Sequence, residues 1–282
     1  MNTEIGQLAI GLLGPLSARL AGRSVAPSAA KQRQVLALLA LNAGRVVTVS
    51  TLIEELWGDN PPRSYSTTLQ TYVLQLRNAV AAAAPGDSSA RQALGTRHCG
   101  YLLEEGTCRT DVDEFARLAR AGRAAAERAD QRAAAEQLDC ALRLWRGPAL
   151  VDVRMGRVLE LEVASLEETR LGALERRIEA DLALGRHADM LGELTLTAAR
   201  NAMNENLCAF LMIALYRSGH VGRSLEAFHR LRSVLRDELG VEPCPRLQRL
   251  QSAILAGDPA LESGSWATRA GTAGPVLSGA RS

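Results

Sequence analysis

The residues best suited to chemistry lie close together, in "TTLQTYVLQLRNAV" at 67–80. Read as a helix, the stretch puts Leu69, Val73, Leu76 and Val80 on one apolar stripe at i, i+4, i+7 and i+11. The other side carries Thr68, Thr71, Gln75 and Asn78, short hydrogen-bonding groups with almost no charge. An ordinary solvated face is filled with Glu and Lys. Major-groove readers instead use Gln or Asn against adenine and the Thr methyl against thymine. Thr67, Thr68, Thr71 and Gln75 supply that chemistry, with Arg63 and Arg77 at the flanks to hold phosphates. Arg97, further along, can reach a narrow minor groove. Taken alone, the helix also fits packing on another protein, with Thr as filler.

Other chemistries lack their residues. No GxxxxGK[ST] or GxGxxG cradles a phosphate. His98, His187, His220 and His229 are too dispersed for a metal site. No Ser/His/Asp constellation stands out, so no catalytic residue, metal or cofactor is assigned and an enzyme is not expected. The pairs Glu54-Glu55, Glu104-Glu105 and Glu160-Glu162 read as solvated faces. The five cysteines are scattered without a CxxC, and the first residues lack a basic leader pattern. Free thiols in a reducing cytoplasm follow, with no run of membrane length. Net charge is +2 over 282 residues. Residues 1–110 hold ten basic and seven acidic side chains, a slight excess on the side of the candidate helix. Lys31 is the only lysine, which fits codon bias rather than phosphate binding.

The elements that must position these residues follow from pattern. Residues 5–26 read as short strands with Gly turns, 29–42 as a helix, and "RVVTV" as a brief strand. Ser50 is a fitting N-cap for the helix that ends at Trp57. The turn-rich "GDNPPR" leads into a helix over 64–84, which "PGD" at 85–87 stops. "ALGTRHCGYLLEE" reads as a hairpin turning at Cys99-Gly100. Three helices followed by a hairpin make a winged helix-turn-helix, whose third helix enters the major groove. This order favours the DNA reading. The loop Gly58-Asp59-Asn60-Pro61-Pro62, stiffened by two prolines, suits either a partner or the setting of an interhelical angle. Trp57 and Trp145, just before glycines, suit core plugs.

After residue 110 helices follow one another, at about 112–128, 131–145, 157–185, 187–201, 204–218, 221–239 and 245–256. "LGRHADMLGEL" at 184–194 is echoed by "SGHVGRSLEAF" at 218–228, the 34-residue offset of a tetratricopeptide pair. The expected fold is mostly α. A winged helix-turn-helix (α+β) over 1–110 precedes an all-α tetratricopeptide-like bundle over 111–259, and 260–282 read as a disordered tail or linker.

These stretches resemble a known family. "LLGPL", "KQRQVLALLALNAGRVVTVSTLIEELWGDNPPRS", "LQTYVLQLRNAV" and "GYLL" are similar to the OmpR/PhoB-type winged helix of the Streptomyces antibiotic regulatory proteins. "DVDEFARLARAGRAA", "ALRLWRGPAL", "LGRHADM", "LMIALYRSGH" and "DELGVEPCPRLQRLQSAIL" resemble that family's bacterial transcriptional activation domain, in the same order. The resemblance implies a transcriptional activator of a secondary-metabolite gene cluster, associated with the nucleoid. It implies binding of double-stranded DNA as a dimer on direct repeats near the −35 region, and recruitment of RNA polymerase through its sigma factor. It places DNA contacts on Thr67, Thr68, Thr71, Tyr72, Gln75 and Arg77, with Arg97 on the wing and Tyr101 supporting the hairpin. It places the polymerase contact on Trp57, Gly58, Asp59, Asn60, Pro61 and Pro62. The alternative is a tetratricopeptide-type scaffold that binds protein through the same helix.

Overall fold

Alternating buried residues at the start of the chain, Leu8 and Ile10 and then Ala18 and Leu20, make one face of a small sheet. The computed structural model describes residues 7–85, 92–104 and 106–262. Strands β1 (Leu8–Gly11), β2 (Ser17–Leu20) and β3 (Arg23–Ser24) form an antiparallel meander. A strand unforeseen in the sequence, here numbered β7 (Cys108–Thr110), pairs in parallel with β1, Leu8 opposite Cys108. The sheet order is β3-β2-β1-β7.

Between these strands lie α1 (Ala30–Leu41), β4 (Val47–Thr48), α2 (Val49–Trp57), α3 (Tyr65–Ala83), β5 (Leu94–Arg97) and β6 (Gly100–Leu103). Helix α2 starts one residue before Ser50. Its cap is Thr48, whose Oγ1 accepts the Thr51 amide at 3.1 Å, so the expected Ser50 cap is corrected. The three strands β4, β6 and β5 form a second sheet in that order. Gly100 stands where β6 meets β4: a Cβ there would lie 2.0 Å from the Val47 carbonyl oxygen. The hairpin therefore turns at His98-Cys99, one residue earlier than expected, and Gly100 opens β6.

The chain divides into two compact units that do not follow the expected boundary at 110. The first comprises residues 1–120 and 140–172, the second 121–139 and 173–282. The first unit's core holds Leu8, Leu38, Leu52, Leu69, Val73 and Leu103, and also Leu150, Val153 and Leu159. Three carboxylates complete it. Asp111 accepts the Leu12 and Leu13 amides at 2.7 and 3.1 Å and pairs with Arg146. Asp152 accepts the Leu16 amide at 2.7 Å and pairs with Arg33. Glu55 accepts the Gly156 and Leu159 amides at 2.6 and 2.9 Å. Trp145 is buried edge-on against Phe115, as a core plug should be.

Helices α4 (Asp111–Glu127), α5 (Gln131–Leu142) and α6 (Arg157–Ala183) each contribute to both units. The second unit continues with α7 (Leu191–Arg200), α8 (Glu205–Arg217), α9 (Val221–Leu239) and α10 (Pro245–Ala256). Helix α8 is its central member, buried from Leu207 to Leu215. The 34-residue echo has a backbone counterpart. Gly185 and Gly219, at φ 76° and 78°, both end a helix in the left-handed region that glycine adopts without strain. The amides of Gly185 and Arg186 bond the carbonyls of Leu182 and Asp181, and those of Gly219 and His220 bond Tyr216 and Leu215. Each partner is displaced by the same 34 positions. The expected tail starts later than 260: Leu261 is buried, and its carbonyl accepts from Arg217 at 2.7 Å. Residues 263–282 of that tail, Gly86 and Asp87 of the helix stop, and Glu105 lie outside the described residues.

Candidate nucleic-acid interface

Helix α3 buries Leu69, Val73, Leu76 and Val80, the stripe its spacing predicts. Burying those four side chains contributes roughly 6–12 kcal/mol against leaving them in water, which fixes the helix's rotation about its axis. The opposite side is then exposed by necessity. Thr67, Gln70, Thr71, Leu74, Gln75 and Asn78 are all exposed, and none is charged. Thr68 and Tyr72 are half-buried at the flank; Tyr72 packs against the core, and Thr68 Oγ1 lies 3.5 Å from Ser64 Oγ. Arg63 is exposed just before the helix.

Two of the face's polar groups are already engaged. The Thr71 hydroxyl donates to the Thr67 carbonyl one turn back at 2.9 Å. The Gln32 side chain on α1 donates to Gln75 Oε1. Whichever way round the two amides lie, one end of Gln75 is held, so a two-headed grip on adenine is not open to it in this arrangement.

Arg77 is half-buried and faces the hairpin. Its Nε donates to the Leu94 carbonyl at 2.9 Å and its Nη2 to Thr96 Oγ1 at 2.7 Å. The residue read as a phosphate holder therefore also staples the third helix to β5. Arg97 ends β5 beside the turn and pairs with Glu104 at 2.7 Å; both side chains are partly exposed, so the pair adds little stability. Tyr101 is buried and lies opposite Thr96 and Val47, tying the hairpin to β4.

The loop from Gly58 to Pro62 is exposed, and Trp57 is half-buried against the core. The end of α2 is held by Lys31, which donates to the Leu56 carbonyl and lies 5.8 Å over the Trp57 ring. Burial, then the charge of Arg154, lower the Lys31 pKa, against the pull of Glu55. Glu55, expected on a solvated face, is 2% exposed. It sits one turn before the loop, where Gln34 also donates to it at 3.1 Å. Sequence reasoning missed Glu55, Gln32 and Leu74. A glutamate in an acidic pair on a short helix and a leucine in an amphipathic helix carry no local signal of these placements.

Models of two families match the chain: "Transcriptional regulatory protein, C terminal" over residues 24–103, and "Bacterial transcriptional activator domain" over residues 110–255. Regulatory protein DnrI of Streptomyces peucetius is 52% identical over 255 residues, covering 90% of this chain and 94% of that protein. Transcriptional regulator RedD of Streptomyces coelicolor is 38% identical over 260 residues, covering 91% and 73%. Among solved structures, Mycobacterium tuberculosis EmbR in complex with a low affinity phosphopeptide superposes with a TM-score of 0.85. It is 34% identical, covering 94% of this chain and 69% of that one.

Proposed function

Because this chain belongs to the Streptomyces antibiotic regulatory protein family, we propose that it activates a secondary-metabolite gene cluster by binding specific DNA. Its relatives are transcriptional regulators, and in this reading the chain acts by binding rather than catalysis. The observation that carries the reading is the uncharged, exposed face of α3 with the hairpin stapled beside it by Arg77. Thr67, Thr71 and Gln75 meet base edges, while Arg63, Arg97 and the remaining donors of Arg77 meet phosphates or the minor groove. Thr68 and Tyr72 border the contact. Two protomers lie head-to-tail on a direct repeat near the −35 region, and the loop Trp57–Pro62 faces the polymerase and its sigma factor. The cytoplasmic nucleoid is the corresponding place of action.

Selection of the purified chain on a pool of random duplexes, followed by sequencing, tests this. The expected result is a direct repeat with half-sites about one helical turn apart. A flat pool at low salt would overturn it and leave the scaffold reading.

A further inference from the structure

We propose that Leu74 is a specificity-determining residue, seating on the C5 methyl of a thymine in the major groove; this rests on the DNA-reading proposal above. Leu69, Val73, Leu76, Val80 and Ala83 already make the buried stripe of α3, and Leu74 is not among them. Leu74 points the other way and is 55% exposed. It lies on the line Thr67, Thr71, Leu74, Asn78, at i, i+4, i+7 and i+11, in the middle of the exposed face. Exposed leucines elsewhere sit on mixed surfaces, and Arg77, one turn after Leu74, is turned to the hairpin. Leu161 has Arg157 one turn before it and Glu160 and Glu162 on either side. Leu74 is the only leucine, isoleucine, valine or phenylalanine on a face otherwise made of amides and hydroxyls.

That face has less hydrogen-bonding capacity than its composition suggests. The Thr71 hydroxyl proton goes to the Thr67 carbonyl, and one end of the Gln75 amide goes to Gln32. What remains central and unengaged is a branched apolar side chain. In the major groove only thymine offers it an apolar partner, because its C5 methyl projects where the other three bases show hydrogen or polar atoms. A cytosine there presents an amino group and no methyl, so Leu74 favours thymine by contact and disfavours the alternatives by leaving polar edges unpaired.

The test uses the full chain and its selected operator, with each thymine replaced in turn by deoxyuridine, which removes only the methyl. The wild-type chain should lose about four-fold in affinity at one thymine, or two adjacent ones, at the equivalent place in each half-site, the worth of one buried methyl group per replacement. Leu74→Ala should bind the unmodified operator more weakly and be indifferent to the replacement at that same position. Its thermal melt should match wild type, since the side chain is exposed. A wild-type chain that binds specifically but responds to no deoxyuridine overturns the assignment alone. So does a Leu74→Ala chain that retains the wild-type response, or one that melts early. Absence of sequence preference on unmodified duplexes would instead overturn the DNA reading, before any base is altered.

Discussion

Arg77 gives two of its five N–H donors to the hairpin, which leaves three for a phosphate. The two roles separate by substitution. Arg77→Lys keeps the charge but loses the fork that reaches Leu94 and Thr96 together. It should retain the salt dependence of DNA binding while amide exchange in β5 speeds up. Arg77→Ala should lose both. Arg63→Ala removes an exposed charge alone, and the slope of log K against log salt should fall by about one with no change in melting temperature. Thr71→Ala or Gln75→Ala should each cost about 0.5–1.5 kcal/mol on the selected operator, the worth of one hydrogen bond or methyl contact, and almost nothing on random duplex. Competition binding against both DNAs measures this, and an unchanged site preference would remove that residue from the base-reading set. The thiols give an independent report on the wing. Burial pushes the Cys108 thiol up to about 11 and Cys208 to about 12, so neither forms much thiolate at pH 8. Cys99, exposed in the hairpin turn, should be alkylated readily there and protected by operator DNA, whereas exposed Cys140 should react alike with and without it. Mass spectrometry of the labelled peptides reads both outcomes.

At the scale of elements, Glu55 links the end of α2 to the start of α6. Its carboxylate accepts two amides from the first turn of α6 and one side-chain amide from α1, where the helix's positive end favours a negative group. Glu55→Gln replaces an acceptor with an amide that must face an N–H. The cost should be about 1.5–3 kcal/mol per charge-assisted bond lost, read as a lower urea midpoint with an unchanged slope. Gly156→Ala should act at the same joint, since a Cβ there would lie 2.1 Å from the Glu55 carbonyl oxygen. This joint shows what the sequence could and could not disclose. The 69–73–76–80 stripe was legible because helix periodicity is local, and the 34-residue echo because the same turn needs a glycine at Gly185 and Gly219. Glu55 was not legible, since the two amides it accepts from the α6 end lie about a hundred positions away and the Glu54-Glu55 pair resembles any solvated acidic helix face. The β7 strand was too short to show alternation and exists through its pairing with β1. Leu74 was hidden by its own type, because a leucine in an amphipathic helix is assigned inward unless the helix's rotation is known.

For the whole molecule, the question is how much chain a DNA-reading unit requires. A boundary at 110 satisfies the pattern of helices and hairpin, and the matched families meet close to it. The first compact unit nevertheless includes 140–172. Leu150, Val153 and Leu159 belong to its core, and Asp152 caps the Leu16 amide. A fragment ending at 110 would lose these three apolar side chains, at roughly 1.5–3 kcal/mol each. It would also leave the Leu12, Leu13 and Leu16 amides without their carboxylates and Glu55 buried without the α6 amides. Those losses together rival the 5–15 kcal/mol by which a domain is stable. The 1–110 fragment should therefore melt early and broadly, with weak DNA binding, while the full chain melts cooperatively and binds its operator. Calorimetry and binding on the same duplex make the comparison. A fragment that matches the full chain in both would show that the reading helix and its wing stand without residues 140–172, and that the three carboxylates hold the later helices in place rather than the DNA-reading fold.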